Sequence, residues 1–377
     1  MLYPTEFDDL RPYTDAEIPA AMARIAASEW LPQLAAFVFP DKTPEAVAAH
    51  LLRLNTIEAF QREVMHTFNA QVIARSIDRF TCEGLQRLSP DTPYLFVSNH
   101  RDIVLDASLL QSALLDSGCP TAEITFGANL MCHPLVVDIG RSNRMFRVER
   151  AAGLREFYRL SLHLSRYLHH VIGERRRSVW IAQRNGRTKD GWDATDHGLL
   201  KMFVLGSQAP ALDALAGLHI VPVAVSYEWE PCDLLKVRET AARQNGPYVK
   251  QPGEDLHSIL TGIRQPKGHV HFHLAPPLTA EDYAPFARCS ESEALKAVVA
   301  LIDRRIAEHY HIMPTTYLAH DLLHAERRYA DRYTDEVKAL FEARMATLDT
   351  PDLRSLFLHL YARPLLRRRA LLSSDAQ

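Results

Sequence analysis

Apolar residues recur every three or four positions over 15–39 and 43–77, the spacing of helices that bury one stripe. Asp15 and Thr43 stand where helix caps belong, and Pro44 suits a first helical position, where its missing amide loses no partner. The pattern changes after Ser89-Pro90-Asp91. From there, β-branched and aromatic runs at 94–98, 123–127, 178–182, 219–228 and 269–275 alternate with helical stretches at 102–116, 151–173 and 196–205. That alternation predicts an α/β fold with a largely parallel sheet flanked by helices. From Glu291 the helical period returns, at 291–310, 318–330 and 334–347. Helical N- and C-terminal extensions thus bracket the α/β region, giving expected domains of 1–88, 89–280 and 281–377.

Length and composition change this picture little: 377 residues, 47% hydrophobic and 24% charged, suit a soluble globular chain with a sizeable core. A formal net charge of −3 speaks against a general nucleic-acid binder. The charge is uneven, however. Between Arg141 and Asp190 thirteen Lys/Arg face four acids, so one basic region sits on an acidic remainder, as suits an anionic substrate or lipid surface. Five scattered cysteines without paired spacing imply a reducing setting. The acidic N-terminus has no apolar core of a signal peptide, and no stretch is apolar over a membrane-spanning length. The expected location is cytoplasmic, with only peripheral contact to the inner face of a membrane.

Four segments carry candidate chemistry. In "YLFVSNHRDIVLDASLL" a strand gives way to a helix at Asn99-His100, the carboxyl end where open α/β sheets place ligands. An imidazole there can take a proton from an alcohol if a carboxylate holds its tautomer. Asp102 and Asp106 are both available, and a plain capping turn with Asp102 as cap is the non-functional reading. In "SVWIAQRNGRTKDGWD", Arg184, Arg187 and Lys189 surround Gly186, next to Asn185 and Thr188; such a loop can bring backbone amides and guanidinium forks to a phosphate. A solvated basic turn is the alternative. Arg147 and Arg150 offer further cations, with Glu149 placed to neutralise one of them. Pro222 inside the run 219–228 suggests an edge or irregular strand beside a cleft.

In this order the four segments resemble the glycerolipid acyltransferases, the lysophosphatidate and glycerol-3-phosphate acyltransferases, over roughly residues 90–280. Asn99-His100 resembles the family's catalytic corner, Arg147-Val148-Glu149-Arg150 its apolar-acid-Arg block, Arg184-Asn185-Gly186-Arg187-Thr188 its glycine-containing basic block, and Val221-Pro222-Val223 its Val-Pro strand. The sequence departs from the family at two places: Leu105 stands where the family's aspartate, separated from the histidine by four residues, belongs, and the acid before the glycine is missing, with Arg184 and Asn185 in its place. The resemblance implies transfer of a fatty acyl group from acyl-CoA or acyl-carrier protein to the hydroxyl of a phosphate-bearing glycerol or lysophospholipid. It implies His100 as general base, Asp106 as its partner with Asp102 as the alternative, and Arg150, Arg147, Arg184, Asn185, Gly186, Arg187, Thr188 and Pro222 as substrate-binding. No metal and no cofactor beyond the acyl thioester are implied.

Two rival readings remain. His269, His271 and His273 would share one strand face, and His320-Asp321-Leu322-Leu323-His324 sets two histidines one helical turn apart, so a metal-dependent hydrolase is conceivable. The Leu- and Arg-rich stretch 353–372, interrupted by Pro364, reads either as an interfacial membrane helix or as a docked helix with solvated arginines. The former would also suit a non-enzymatic peripheral membrane protein.

Overall fold

The structure, a computed structural model, describes residues 3–131, 133–149 and 153–373. Five short helices open the chain: α1 (Ile18–Ala26), α2 (Leu31–Val38), α3 (Pro44–Leu51), α4 (Ile57–Phe60) and α5 (His66–Ser76). Thr43 caps α3 by accepting from the Ala46 amide, and Thr56 caps α4 through Ala59. Their apolar faces, with Ile18, Met22, Val47 and Phe60 fully buried, form a separate core to which Leu135 and Ile139 of a later helix add.

Seven strands follow: β1 (Arg79–Glu83), β2 (Leu95–Ser98), β3 (Glu123–Gly127), β4 (Met145–Val148), β5 (Val179–Ala182), β6 (Ile220–Tyr227) and β7 (His269–Leu274). They make one sheet in the order β1-β7-β6-β2-β5-β3-β4. All pairings are parallel except β6 with β7. The first strand lies ahead of residue 89, where the α/β region was expected to begin. Its sequence, Arg-Phe-Thr-Cys-Glu, lacks the apolar run that marks the inner strands, because at the sheet edge both ends are exposed.

Alternate residues feed two cores. Leu95, Val97, Val179, Ile181, Ile220 and Ala224 face one side; Phe96, Trp180, Val221, Val223, Val225 and Phe272 face the other. Helix α6 (Leu105–Asp116), reached directly from β2, covers the second side. Helix α7 (Pro134–Ser142) joins the N-terminal helices, and α8 (Leu154–His169), α9 (His197–Leu205) and α10 (Ala211–Ala216) follow, with α8 and α9 on the first side. Between β6 and β7 run α11 (Asp233–Gln244) and α12 (Glu254–Arg264), and after β7 come α13 (Ala280–Tyr283) and α14 (Glu291–His309), which also packs on the first side. The last helices are α15 (Pro314–His324), α16 (Asp335–Ala346) and α17 (Pro351–Ser373).

One expectation is corrected, and one alternative left open by the sequence is resolved. Pro222 sits on a central strand, between β2 and β7, and is buried. It is tolerated because it lies opposite Ala275, one residue past the end of β7; the Pro222 carbonyl accepts from the Ala275 amide, and no ladder bond needs the missing N–H. The stretch 353–372 is no loose interfacial helix. Within α17, Phe357, Leu360, Tyr361 and Ala362 are buried against Val237, Leu318 and Phe341, and Pro364 lies inside a continuous helix. Its arginines are engaged with the body: Arg363 with Asp190, Arg367 with Asp303 at 2.6 Å, and Arg368 with the Tyr310 carbonyl at 3.0 Å.

Candidate active site

β2 ends at Ser98, and Asn99 extends its pairing by side-chain mimicry. The Asn99 Oδ1 accepts from the Val225 amide at 2.7 Å, and its Nδ2 donates to the Val225 carbonyl at 2.9 Å. The buried amide thus fixes the strand end against β6 and points the next residue, His100, over the carboxyl end of the sheet. The ring of His100 stands edge-on to Trp180, with centroids 5.6 Å apart.

The His100 Nδ1 lies 2.8 Å from Oδ2 of Asp106, a residue with no exposure to solvent. The same oxygen accepts from the Arg101 amide at 2.6 Å and the Asp102 amide at 2.9 Å, while Oδ1 accepts from the Tyr227 hydroxyl at 2.9 Å. Burial first, and then the Asp106 carboxylate, push the Tyr227 phenol well above its ordinary pKa, so it remains a donor. Four donors converge on one carboxylate and fix its position. With Nδ1–H committed to Asp106, the lone pair of His100 is on Nε2.

Asp102 does different work. Its Oδ1 accepts from the amides of Val104 and Leu105 at 2.9 Å each, closing the first turn of α6. Its Oδ2 has no hydrogen-bond partner among the described residues and packs against Gly262 of α12, where a Cβ would sit 2.1 Å away.

Beneath the histidine lies a buried charge network. Arg101, 1% exposed, pairs with Asp193 and, at 3.2 Å, with Glu230; Lys236 donates to Glu230 and to the Arg101 carbonyl at 2.6 Å each. Burial opposes the charge on Arg101, yet Asp193 and Glu230 hold its pKa well above the usual value. Buried charges of this kind persist only when paired. The sequence offered faint signals for them: Glu230 and Asp193 read as ordinary acids after a strand and in a loop, and Arg101 as one more polar turn residue.

The basic loop 184–193 is tied to the same corner. The Thr188 amide donates to the His100 carbonyl at 2.8 Å, and its hydroxyl donates to Asp193 at 2.5 Å, so Thr188 tethers the loop. Arg187 is buried beside Cys232, and its Nη1 has no hydrogen-bond partner among the described residues. Arg184 is half-buried and reaches the Trp192 carbonyl at 3.4 Å, while Asn185 and Gly186 are exposed. Arg147 is not gathered in: it pairs on the surface with Glu149 at 2.6 Å. Arg150 lies outside the described residues. Pro222 is buried in the sheet interior.

Residues 79–226 match the family described as Acyltransferase. This stretch is an acyltransferase domain. The chain is also similar to the solved 1-acyl-sn-glycerophosphate (LPA) acyltransferase PlsC from Thermotoga maritima, at 16% identity and a TM-score of 0.37, over 77% of this chain and 94% of that one. No curated protein matches it. The acyltransferase domain spans β1 to the last residue but one of β6, and so contains His100, Asp102, Asp106, the basic loop and Asp193. Glu230, Lys236 and the terminal helices lie outside it.

The histidines of the rival reading fall elsewhere. His320 and Asp321 are buried at the base of α15, where Asp321 Oδ2 accepts from the Tyr329 amide and the Tyr333 hydroxyl. That carboxylate braces a loop. His269, His271 and His273 do share one face of β7, and it is the face opposite Asp106 and Tyr227.

Proposed function

We propose that the acyltransferase domain moves a fatty acyl group from a thioester, acyl-CoA or acyl-carrier protein, to the hydroxyl of a phosphate-bearing glycerol or lysophospholipid, with His100 as general base. The observation that carries this reading is the His100–Asp106 pair at the carboxyl end of β2, with Asp106 held by two amides and a tyrosine. His100 Nε2 takes the proton of the acceptor hydroxyl as its oxygen attacks the thioester carbonyl. The tetrahedral intermediate collapses with cleavage of the C–S bond, and the departing thiolate takes the proton back from His100. Asp106 stabilises the imidazolium formed between these steps. The protein side needs no covalent intermediate.

Arg187 supports a phosphate-bearing acceptor. A guanidinium whose buried Nη1 has no hydrogen-bond partner among the described residues, one residue from the Thr188 tether to His100, is suited to a charge-assisted bond with an anion. A lipid surface is the expected source of that acceptor. At the end of the sheet where His100 lies, the start of α8 exposes Leu154, Phe157 and Tyr158 among Arg155 and Arg159, and α12 exposes Leu256 and Leu260. Apolar side chains ringed by arginines suit an anionic bilayer. No helix among the described residues is long and apolar enough to cross a membrane.

The test is acyl transfer to lysophosphatidate, glycerol 3-phosphate and a phosphate-free monoacylglycerol, with acyl-CoA and with acyl-carrier protein as donors. His100→Ala is expected to lower kcat by about 10²–10⁴-fold with an unchanged circular-dichroism spectrum. Arg187→Ala is expected to raise KM for phosphorylated acceptors and to leave the phosphate-free one untouched. Near wild-type turnover by folded His100→Ala removes the base assignment.

A further inference from the structure

On the face of the sheet away from Asp106, five imidazoles gather at one place. His269, His271 and His273 alternate along β7, and His309 and His311 come from the end of α14 and the extended segment after it. The ring of His309 stacks on His273 at 4.0 Å with planes 8° apart, and His311 lies 5.0 Å from His271 and 5.2 Å from His269. Glu83, at the end of edge strand β1, reaches into the group. Glu83, His271, His273, His309 and His311 border an open cleft of about 580 Å³ that none of the acyl-transfer groups enter.

We propose that Glu83, His271 and His273 bind one divalent transition-metal ion of the zinc class, with His309 or His311 available as fourth ligand. Each of the three offers one donor atom within 4.8 Å of the others. His273 Nδ1 and Glu83 Oε2 are 3.3 Å apart, about the edge length, roughly 3.3 Å, of a tetrahedron whose centre lies about 2.0–2.1 Å from each ligand. Two imidazoles and a carboxylate form a borderline donor set, which favours zinc over calcium or magnesium.

Outer contacts already orient the ligands. The Thr81 hydroxyl lies 2.8 Å from His271 Nδ1 and 2.8 Å from His269 Nε2. Its single proton serves one ring and its lone pair the other. With Nδ1–H of His271 donating to Thr81, the lone pair of His271 is on Nε2, free to ligate. Arg87 is the opposing feature: its Nη1 lies 3.3 Å from His273 Nε2 and 3.0 Å from the Leu274 carbonyl. Ligation through Nδ1 moves the His273 proton to Nε2, and Arg87 then keeps only its carbonyl contact.

The ion would also reach the catalytic side indirectly. His309 and His311 flank Tyr310, whose ring lies under the Arg101 guanidinium at 5.4 Å, and the His311 amide donates to Ser226 on β6. An ion held by either histidine fixes that segment beneath the buried charge network.

The experiment uses the full chain without a histidine tag, stripped with a chelator and dialysed. Zinc chloride is titrated calorimetrically, and cobalt replaces zinc for visible absorption. One zinc per chain is expected, with a higher thermal midpoint and the absorption bands of tetrahedral cobalt. Glu83→Gln and His271→Asn are expected to weaken binding at least about tenfold and Thr81→Ala by about 10–100-fold, whereas His320→Asn leaves it unchanged. Glu83 is exposed, so Glu83→Gln decides the matter if His271→Asn fails to fold. Absence of zinc binding by the wild type, or equal binding by folded Glu83→Gln, overturns the site.

Discussion

Asp102 and Asp106 lie four residues apart and divide two jobs between them. Asp106 holds the imidazole of His100, and Asp102 holds the first turn of α6. The difference can be measured. Asp106→Asn is expected to cut kcat by about 10²–10⁴-fold and to distort the pH–rate profile, because an amide cannot stabilise the imidazolium. Asp102→Ala is expected to lower stability by about 1 kcal/mol, as for a lost helix cap, with kcat near wild type. A reversed result would exchange their roles. Lys267, fully buried and bonded to the Ser76 hydroxyl and the Gln265 carbonyl at 2.7 Å each, gives a stability signature. Burial lowers its pKa to about 8, against about 10.4 for an unfolded chain. Below pH 8 the folded state bears the full cost of the buried ammonium. Between about pH 8 and 10.4 the unfolded state binds more protons, so this contribution raises stability with pH. Urea midpoints for Lys267→Met are therefore expected to gain less from pH 8 to 10 than those of wild type; parallel profiles would refute it.

At the scale of elements, the inner strands were legible because their runs are rich in β-branched and aromatic residues, largely apolar in β2, β5 and β6 and alternating with histidine in β7. β2, β3, β5, β6 and β7 fall within one or two residues of their expected ranges. β1 was not foreseen, because an edge strand with Arg79 and Glu83 at its ends has no such run. Pro222 misled for a related reason: a local rule about proline cannot see that the neighbouring strand ends one residue earlier. Pro364 is similar. A helix interior proline leaves the carbonyl four residues back, that of Leu360, without its amide. Gly191 of the basic loop packs on that carbonyl so closely that a Cβ would lie 2.1 Å from the oxygen. Gly191 also has φ of 78°. Gly191→Ala is expected to destabilise by at least about 1 kcal/mol, read from denaturant midpoints. An unchanged midpoint would mean that loop and helix can separate without loss.

Across the whole molecule, the His-Asp corner and the basic loop were readable from sequence because each is a short contiguous stretch. The supports were not. Glu230 and Lys236 come from beyond the family match, and Tyr227 looks like any strand aromatic until the fold brings its hydroxyl to Asp106. The stretch 353–372, left open in the sequence between membrane contact and docking, is docked on the body, while α8, read from sequence only as a helix, carries exposed apolar residues at the end of the sheet where His100 lies. Phe157→Glu is expected to reduce co-sedimentation with anionic vesicles without changing the thermal midpoint, since that side chain is 56% exposed. Equal sedimentation would take α8 out of the membrane contact.

The grip of α17 on the basic loop has a consequence in time. Arg363 and Arg367 hold the Asp190 and Asp193 carbonyls, and the Leu360 carbonyl receives Gly191, yet this helix follows every strand in the chain. A ribosome making this protein finishes the sheet, His100 and Asp106 more than seventy residues before it adds the helix that fastens Arg187's loop in place. The His100–Asp106 corner is thus synthesised well before α17, and the loop of Arg187 gains its grip only as that helix docks.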